Sequence, residues 1–206
     1  VFAAVHELPL RLYAEGLIDG LRIDHVDGLA LPLAYCRKLH GAMEAAASRR
    51  PDGQARAPWI VVEKILAPGE TLDERWMVSG TTGYDFAAEV GGLLHDASGE
   101  APLSSAWAEI SGDARPAKAW LLEARQEMLD RHFIAERRAL LEALGALAAD
   151  EDANDTLEPA VDALLRHFPT YRSYVEEGAR AANDQVWFDR AREAAAAELV
   201  AAGQGA

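Results

Sequence analysis

The chain has one cysteine, Cys36, among its 206 residues, so no internal disulfide can staple it. Packing and hydrogen bonds must hold it, and such cysteine poverty fits a reducing compartment, with the cytoplasm as the expected location. No apolar run approaches the roughly 18 residues of a membrane span. No signal peptide is visible, and with Val1 as first residue the true N-terminus is expected to lie elsewhere. Basic residues are short: 20 Lys and Arg stand against 34 Asp and Glu, a formal charge of −14. That excludes nucleic acid and an anionic membrane as partners, since both demand a basic surface. It fits a neutral ligand instead. Aromatics are modest, but half the chain is apolar and alanine is abundant, which allows a real core and favours helix.

One stretch concentrates the chemistry. Gly20-Leu21-Arg22-Ile23-Asp24-His25-Val26-Asp27-Gly28 reads as a short buried strand between two turns, apolar at Leu21 and Ile23. Arg22, Asp24, His25 and Asp27 crowd its end, and buried charges are costly unless paired. A second apolar run, Trp59 to Leu66, is interrupted by Glu63-Lys64. Between the two, Pro32 can open a helix to about Ser48, with Leu33, Cys36, Leu39, Ala42 and Met43 at helical spacing.

Asp24 and Glu63 thus end two strands separated by the length of one βαβ unit, which makes the strands parallel. Neighbouring strands lie about 4.8 Å apart. Carboxylates at both C-terminal ends would stand near the 5–5.5 Å or so that retaining glycosidases need between nucleophile and acid/base. Arg22 lies two residues back on the same face as Asp24, where a guanidinium would keep that carboxylate ionised. Glu63 must carry a proton for part of the cycle. Blander roles stand beside these: His25 as a core histidine, Lys64 as a solvated charge, Asp27 as a turn residue, Tyr84 as packing and Asp85 as an N-cap. Trp76, Trp107, Trp120 and Trp187 read as core, and Cys36 as inert on an apolar helix face.

Elsewhere, residues 1–16 read as helix, with Val5, Leu8 and Leu12 on one face, Gly16 at the C-cap and Pro9 as a kink or a start. Residues 49–58 read as a surface loop. Residues 67–85 read as a long functional loop leading to a helix over 86–96. Pro116 opens the longest helical segment, to about Ala149, whose buried side is marked by Leu121, Ala124, Met128, Phe133, Leu140, Leu144 and Leu147. A short helix over 157–167 follows Thr156 as N-cap, then a strand over 170–175, then a last helix from Asp184 to Val200.

Asp19-Gly20-Leu21-Arg22-Ile23-Asp24-His25 resembles the fourth-strand motif of the α-amylase clan of glycoside hydrolases, and Val62-Glu63 its fifth-strand motif. Gly20 to Ala30, Val62-Glu63-Lys64-Ile65-Leu66 and Gly80-Thr81-Thr82-Gly83-Tyr84-Asp85-Phe86 together resemble the maltooligosyltrehalose synthases of that clan. Phe168 to Val175 resembles a later segment of the same family. The resemblance is strongest over 17–86 and loosest over 97–155. It implies an α-rich α/β fold: a partial (β/α)8 barrel, about strands four to six, with a large helical insertion. Residues 1–110 would be the barrel region with both carboxylates, 111–168 the insertion, and 169–206 a return strand and helix.

The activity so implied is an intramolecular transglycosylation that turns the reducing-end α-1,4 link of a maltooligosaccharide into an α,α-1,1 link. Asp24 would be nucleophile, Glu63 acid/base and Arg22 the nucleophile's support. His25, Lys64, Tyr84 and Asp85 would bind substrate, with no cofactor and no metal. The clan's third carboxylate has no counterpart, since His95-Asp96 lies outside any such motif, and Leu31 stands where the family has Asp. The chain therefore reads as an internal, by itself inactive fragment. Its open barrel would expose sheet edges that a homodimer, or a rearranged strand region, would cover. Another α-glucan hydrolase or transferase of the clan, or a helical interaction module without chemistry, are the competing readings.

Overall fold

The computed structural model describes residues 1–147, 154–176, 179–180 and 182–203. It is helix-rich, with a small parallel sheet, and it divides into two units. One comprises Val1–Leu94 with Tyr174–Asn183, the other His95–Ser173 with Asp184–Ala206.

The first unit is built on a three-stranded parallel sheet of β1 (Gly20–Ile23), β2 (Trp59–Val62) and β3 (Gly80–Thr81), in that order. The expected βαβ unit is present: α2 (Pro32–Ala47), with Pro32 in its first turn, joins β1 to β2. β3 corrects the reading of 67–85 as loop throughout. The apolar signal of a two-residue strand is too short to register in a sequence pattern, and pairing with Val61 and Val62 makes it. Two core clusters form around α2. Leu39, Met43 and Ala46 pack with Tyr13 and Ile60, while Leu33 and Cys36 pack with Val26, Val62 and Trp76. Truncating a fully buried Leu39 or Met43 costs about 2–5 kcal/mol.

α1 spans Phe2–Ala14 and continues through Pro9. Its C-terminus closes as expected at Gly16. Gly16 has φ +74°, and the amides of Gly16 and Leu17 return to the carbonyls of Tyr13 and Leu12. The buried face differs from expectation. Val5 and Leu8 are exposed, and His6, Tyr13 and Ala14 are inside. His6 can be buried because its ring nitrogens meet the Phe2 carbonyl and the Tyr35 hydroxyl, each at 2.8 Å. Arg50, in a stretch of surface composition, is also buried. It donates to the Tyr13 and Ile18 carbonyls and to Asp19, tying the end of α1 to the start of β1.

α3 (Tyr84–Leu93) is capped by Gly83, not Asp85. The expected strand over 170–175 is reduced to Val175 in β4 (Val175–Glu176). β4 pairs antiparallel with β5 (Ala179–Arg180), outside the parallel sheet. It is therefore a hairpin and not a return strand of that sheet. Glu176 sits on the N-terminus of α2, accepting from the amides of Leu33 at 2.8 Å and Ala34 at 3.0 Å. A carboxylate there satisfies orphan donors and complements the helix dipole.

The second unit is helical: α4 (Glu100–Ser111), α5 (Ala117–Arg131), α6 (Ile134–Gly145), α7 (Asn154–His167) and α8 (Ala182–Ala201). The single helix expected from Pro116 breaks at His132-Phe133 without a proline, and its expected end at Ala149 lies outside the described residues. Its buried side was also misassigned. Leu121, Met128, Phe133, Leu140 and Leu147 are exposed, and Leu129 is the buried residue of α5. Leu121 and Met128 lie before the break, so the break alone does not account for this: a helical period shows that a face exists, and the neighbour selects which face is covered. α7 begins at Asn154, so Thr156 lies within it and is not its cap. α6 and α7 are linked by Arg137, which donates to both oxygens of the buried Asp162 at 2.7 and 2.6 Å and to Glu158 at 2.5 Å.

Candidate active site

The parallel register sets the geometry. Gly20 pairs with Trp59 and Ile23 with Val62, and one step further the Glu63 amide donates to the Ile23 carbonyl at 2.8 Å. Asp24 and Glu63 therefore leave adjacent strands side by side, at the same C-terminal end. Arg22 sits between them. Its guanidinium is 2.6 Å from Asp24 Oδ1 through one nitrogen and 3.2 Å from Glu63 Oε1 through the other. Asp24 is held below the usual carboxylate range, first by the Arg22 hydrogen bond and then by a hydrogen bond with Glu63. An ionised Asp24 beside a second carboxylate, with one guanidinium reaching both, is an arrangement that glycosyl chemistry can use.

His25 is exposed and not in the core. It adopts φ +44°, the left-handed region that non-glycine residues rarely occupy. That turn aims its amide at Glu63 Oε2, 2.9 Å away. Gly28 leaves room for the His25 ring, since a Cβ there would stand 2.4 Å from it. β3 brings Tyr84 to the same end. Its hydroxyl lies 3.4 Å from Glu63 Oε1, and the side chain is 42 % exposed, open to a ligand. Asp85, one residue on, accepts from the Thr81 hydroxyl, which holds its carboxyl below the usual range.

Lys64 lies inside, unlike Asp24, His25, Tyr84 and Asp85. Its side chain is 3 % exposed and it is paired with Glu70 at 2.7 Å. Asp27, read as a turn residue, is buried beside it. Glu70 and Tyr174 were missed as partners. Glu70 follows a Pro-Gly turn that reads as loop, and Tyr174 comes from a segment 110 residues past Lys64. Trp76 and Trp187 are buried as expected. Trp107 and Trp120 are not: they are 56 % and 39 % exposed and line an open groove of about 500 Å³ with Leu103, Arg115 and Pro116. Among the described residues no group of His, Cys, Asp and Glu is arranged to hold a metal ion, and no helix is long and apolar enough to cross a membrane.

No family model matches the chain. Over 172 residues, 84 % of its length, the chain is 37 % identical to a Mycobacterium tuberculosis protein bearing the name maltooligosyl trehalose synthase, of which the match takes in 21 %. Among solved structures, the maltooligosyltrehalose synthase of Arthrobacter ramosus matches 99 % of the chain at a TM-score of 0.74 and 32 % identity, over 24 % of its own length. A point mutant of the same enzyme gives 0.75. A glycosyltrehalose synthase matches 94 % of the chain at 0.65 and 27 % identity, over 25 % of its own length. Sequence and structure neighbours alike name this family, and the chain spans about a fifth of the length of the curated relatives it matches.

Proposed function

We infer that this chain, similar over nearly its whole length to a segment of the maltooligosyltrehalose synthases, carries the nucleophile and the acid/base of a trehalose-forming intramolecular transglycosylation. The observation that carries the reading is the Asp24–Arg22–Glu63 constellation at adjacent ends of parallel strands. The three strands are then an arc of a (β/α)8 barrel, whose active sites lie at the C-terminal face.

In this mechanism Asp24 attacks the anomeric carbon of the penultimate glucose of a maltooligosaccharide. The C1–O4 bond breaks, and Glu63 gives its proton to the departing oxygen. The terminal glucose stays in the site, turns, and attacks the same carbon through its own anomeric hydroxyl. That hydroxyl's proton passes to Glu63, and Asp24 leaves. Two displacements retain configuration, the α,α-1,1 link replaces α-1,4, and no water is consumed. Water must be kept out meanwhile, or hydrolysis competes. Tyr84, exposed beside Glu63, and His25 are the residues proposed to hold the freed glucose. Asp85, oriented by Thr81, is proposed to assist them.

The test is a reducing-end assay on maltopentaose with the protein expressed from its own gene. Reducing ends should vanish without release of glucose, and Asp24→Asn or Glu63→Gln should abolish this. Release of glucose in step with new reducing ends would instead identify a hydrolase of the same clan. Tyr84→Ala should raise hydrolysis relative to transfer, and an unchanged ratio would remove Tyr84 from the glucose-holding role.

A further inference from the structure

Lys64 follows Glu63 directly, yet the chemistry above has no use for it. Its ammonium lies 2.7 Å from Glu70 Oε1 and 3.9 Å from Asp27 Oδ2, and it donates to the Tyr174 hydroxyl at 3.2 Å. The Tyr174 hydroxyl in turn donates to Asp27 Oδ1. The side chains of Lys64, Asp27 and Glu70 are all less than a tenth exposed. Groups of this kind leave water at a heavy cost unless each meets a partner, and here each does.

We propose that this buried cluster is the positioning device that sets the separation of Asp24 and Glu63, with the Tyr174 hydroxyl as the link that closes it. The proposal rests on the glycosyl-transfer reading above. Asp27 belongs to the turn that begins at Asp24, and Lys64 is bonded to Glu63. A tie between Asp27 and Lys64 therefore couples the two strand ends from behind. On the open side, the Arg22 guanidinium and the His25 amide already couple them. Held from one side only, the turn could pivot about Ile23 and carry Asp24 with it. Held from both, it keeps His25 at its left-handed φ of +44°, a conformation that persists only where the surroundings impose it.

Tyr174 is also anchored apart from its hydroxyl. Its ring packs edge-on against Trp76 with centroids 5.4 Å apart, and Glu176 fastens the same hairpin to the N-terminus of α2. Phenylalanine at 174 would keep the ring and the hairpin and delete only the link. Lys64→Met, by contrast, strands two buried carboxylates and is expected to unfold the region, so Tyr174→Phe is the informative variant.

In the protein expressed from its own gene, Tyr174→Phe should lower kcat on maltopentaose about 10- to 100-fold with KM within about twofold, as a small misplacement of reacting groups does. Its unfolding temperature should stay near the parent's. A kcat within twofold of the parent overturns the proposal. So does a loss of kcat matched by a collapse of thermal stability, which would mark general support of the fold. If the parent makes no product from maltopentaose, the reading of function fails, and amide exchange decides the positioning role without turnover. Faster exchange over 24–28 in the variant sustains it, and identical exchange overturns it.

Discussion

Arg22 carries more of this site than any other single side chain, because one planar guanidinium reaches both carboxylates. Its hydrogen bond is the largest cause of the lowered Asp24 pKa. Asp24 is thus ionised above that lowered value and loses its charge only as the pH falls through it. Replacing Arg22 with Gln removes the main stabilisation of the carboxylate. The acid limb of the kcat/KM profile should then move to higher pH, with kcat falling on the order of a hundredfold. An unmoved limb would mean that Arg22 does not govern the ionisation of Asp24. Cys36 is the opposite kind of residue. Burial pushes its thiol up to about 12 and it is fully enclosed, so at pH 8 it is a neutral, inaccessible group. It should react with a disulfide reagent about a hundredfold or more slower in the native chain than after unfolding. Its inertness was legible from its place in the Leu33–Met43 stripe. The burial of Lys64 was not legible, because its partners Glu70 and Tyr174 reach it through loops that leave no periodic signal.

Among the elements, the β1–β2 pair decides the geometry, and Gly20 sets how closely it packs. A Cβ on Gly20 would stand 2.4 Å from the Trp59 carbonyl oxygen, an atom of the paired strand's backbone that cannot swing aside. Gly20→Ala should therefore force the strands apart and cost about 1–3 kcal/mol, read as a lower midpoint in chemical denaturation. An unchanged midpoint would show that the strand ends have slack. Strand–helix–strand order was readable here because each element states itself locally, with Pro32 opening α2 and turns bounding β1. β3 and the β4–β5 hairpin were not readable, since two residues acquire strand character only from the partner they meet. The helical faces of α1 and α5–α6 were misassigned for a related reason. An alanine-rich helix offers several faces of similar hydrophobicity, and the neighbour selects one.

For the chain taken entire, the surface is the informative feature. Leu17, Phe86, Leu93, Leu94, Leu103 and Ile110 are each more than two-thirds exposed. Apolar exposure on this scale marks surfaces that expect to be covered. In the sheet, β1 and β3 each have one side without a paired strand among the described residues. The 206-residue chain produced alone should bind a hydrophobic dye such as ANS and elute above its monomer size in gel filtration at micromolar concentration. A dye-silent monomer would contradict this. The 14-fold negative charge moderates such association without removing it, since repulsion is screened within about 8–10 Å at ordinary salt.

The amino-acid sequence by itself determined which groups are available and in what order. It placed Arg22, Asp24 and Glu63 at two strand ends one βαβ unit apart, with Tyr84 and Asp85 following. It could do so because strand, turn and helix signals act over a few residues. Only the tertiary structure decided that one guanidinium bridges both carboxylates, that His25 turns left-handed to offer its amide to Glu63, and that Lys64 is buried with Asp27, Glu70 and Tyr174. Apart from Arg22–Asp24 and Lys64–Glu70, neighbours along the chain, these contacts join residues from about 38 to 147 positions apart. Their existence depends on which residues of the two strands stand opposite one another and on the seat of the hairpin within the first unit, and no local pattern encodes either.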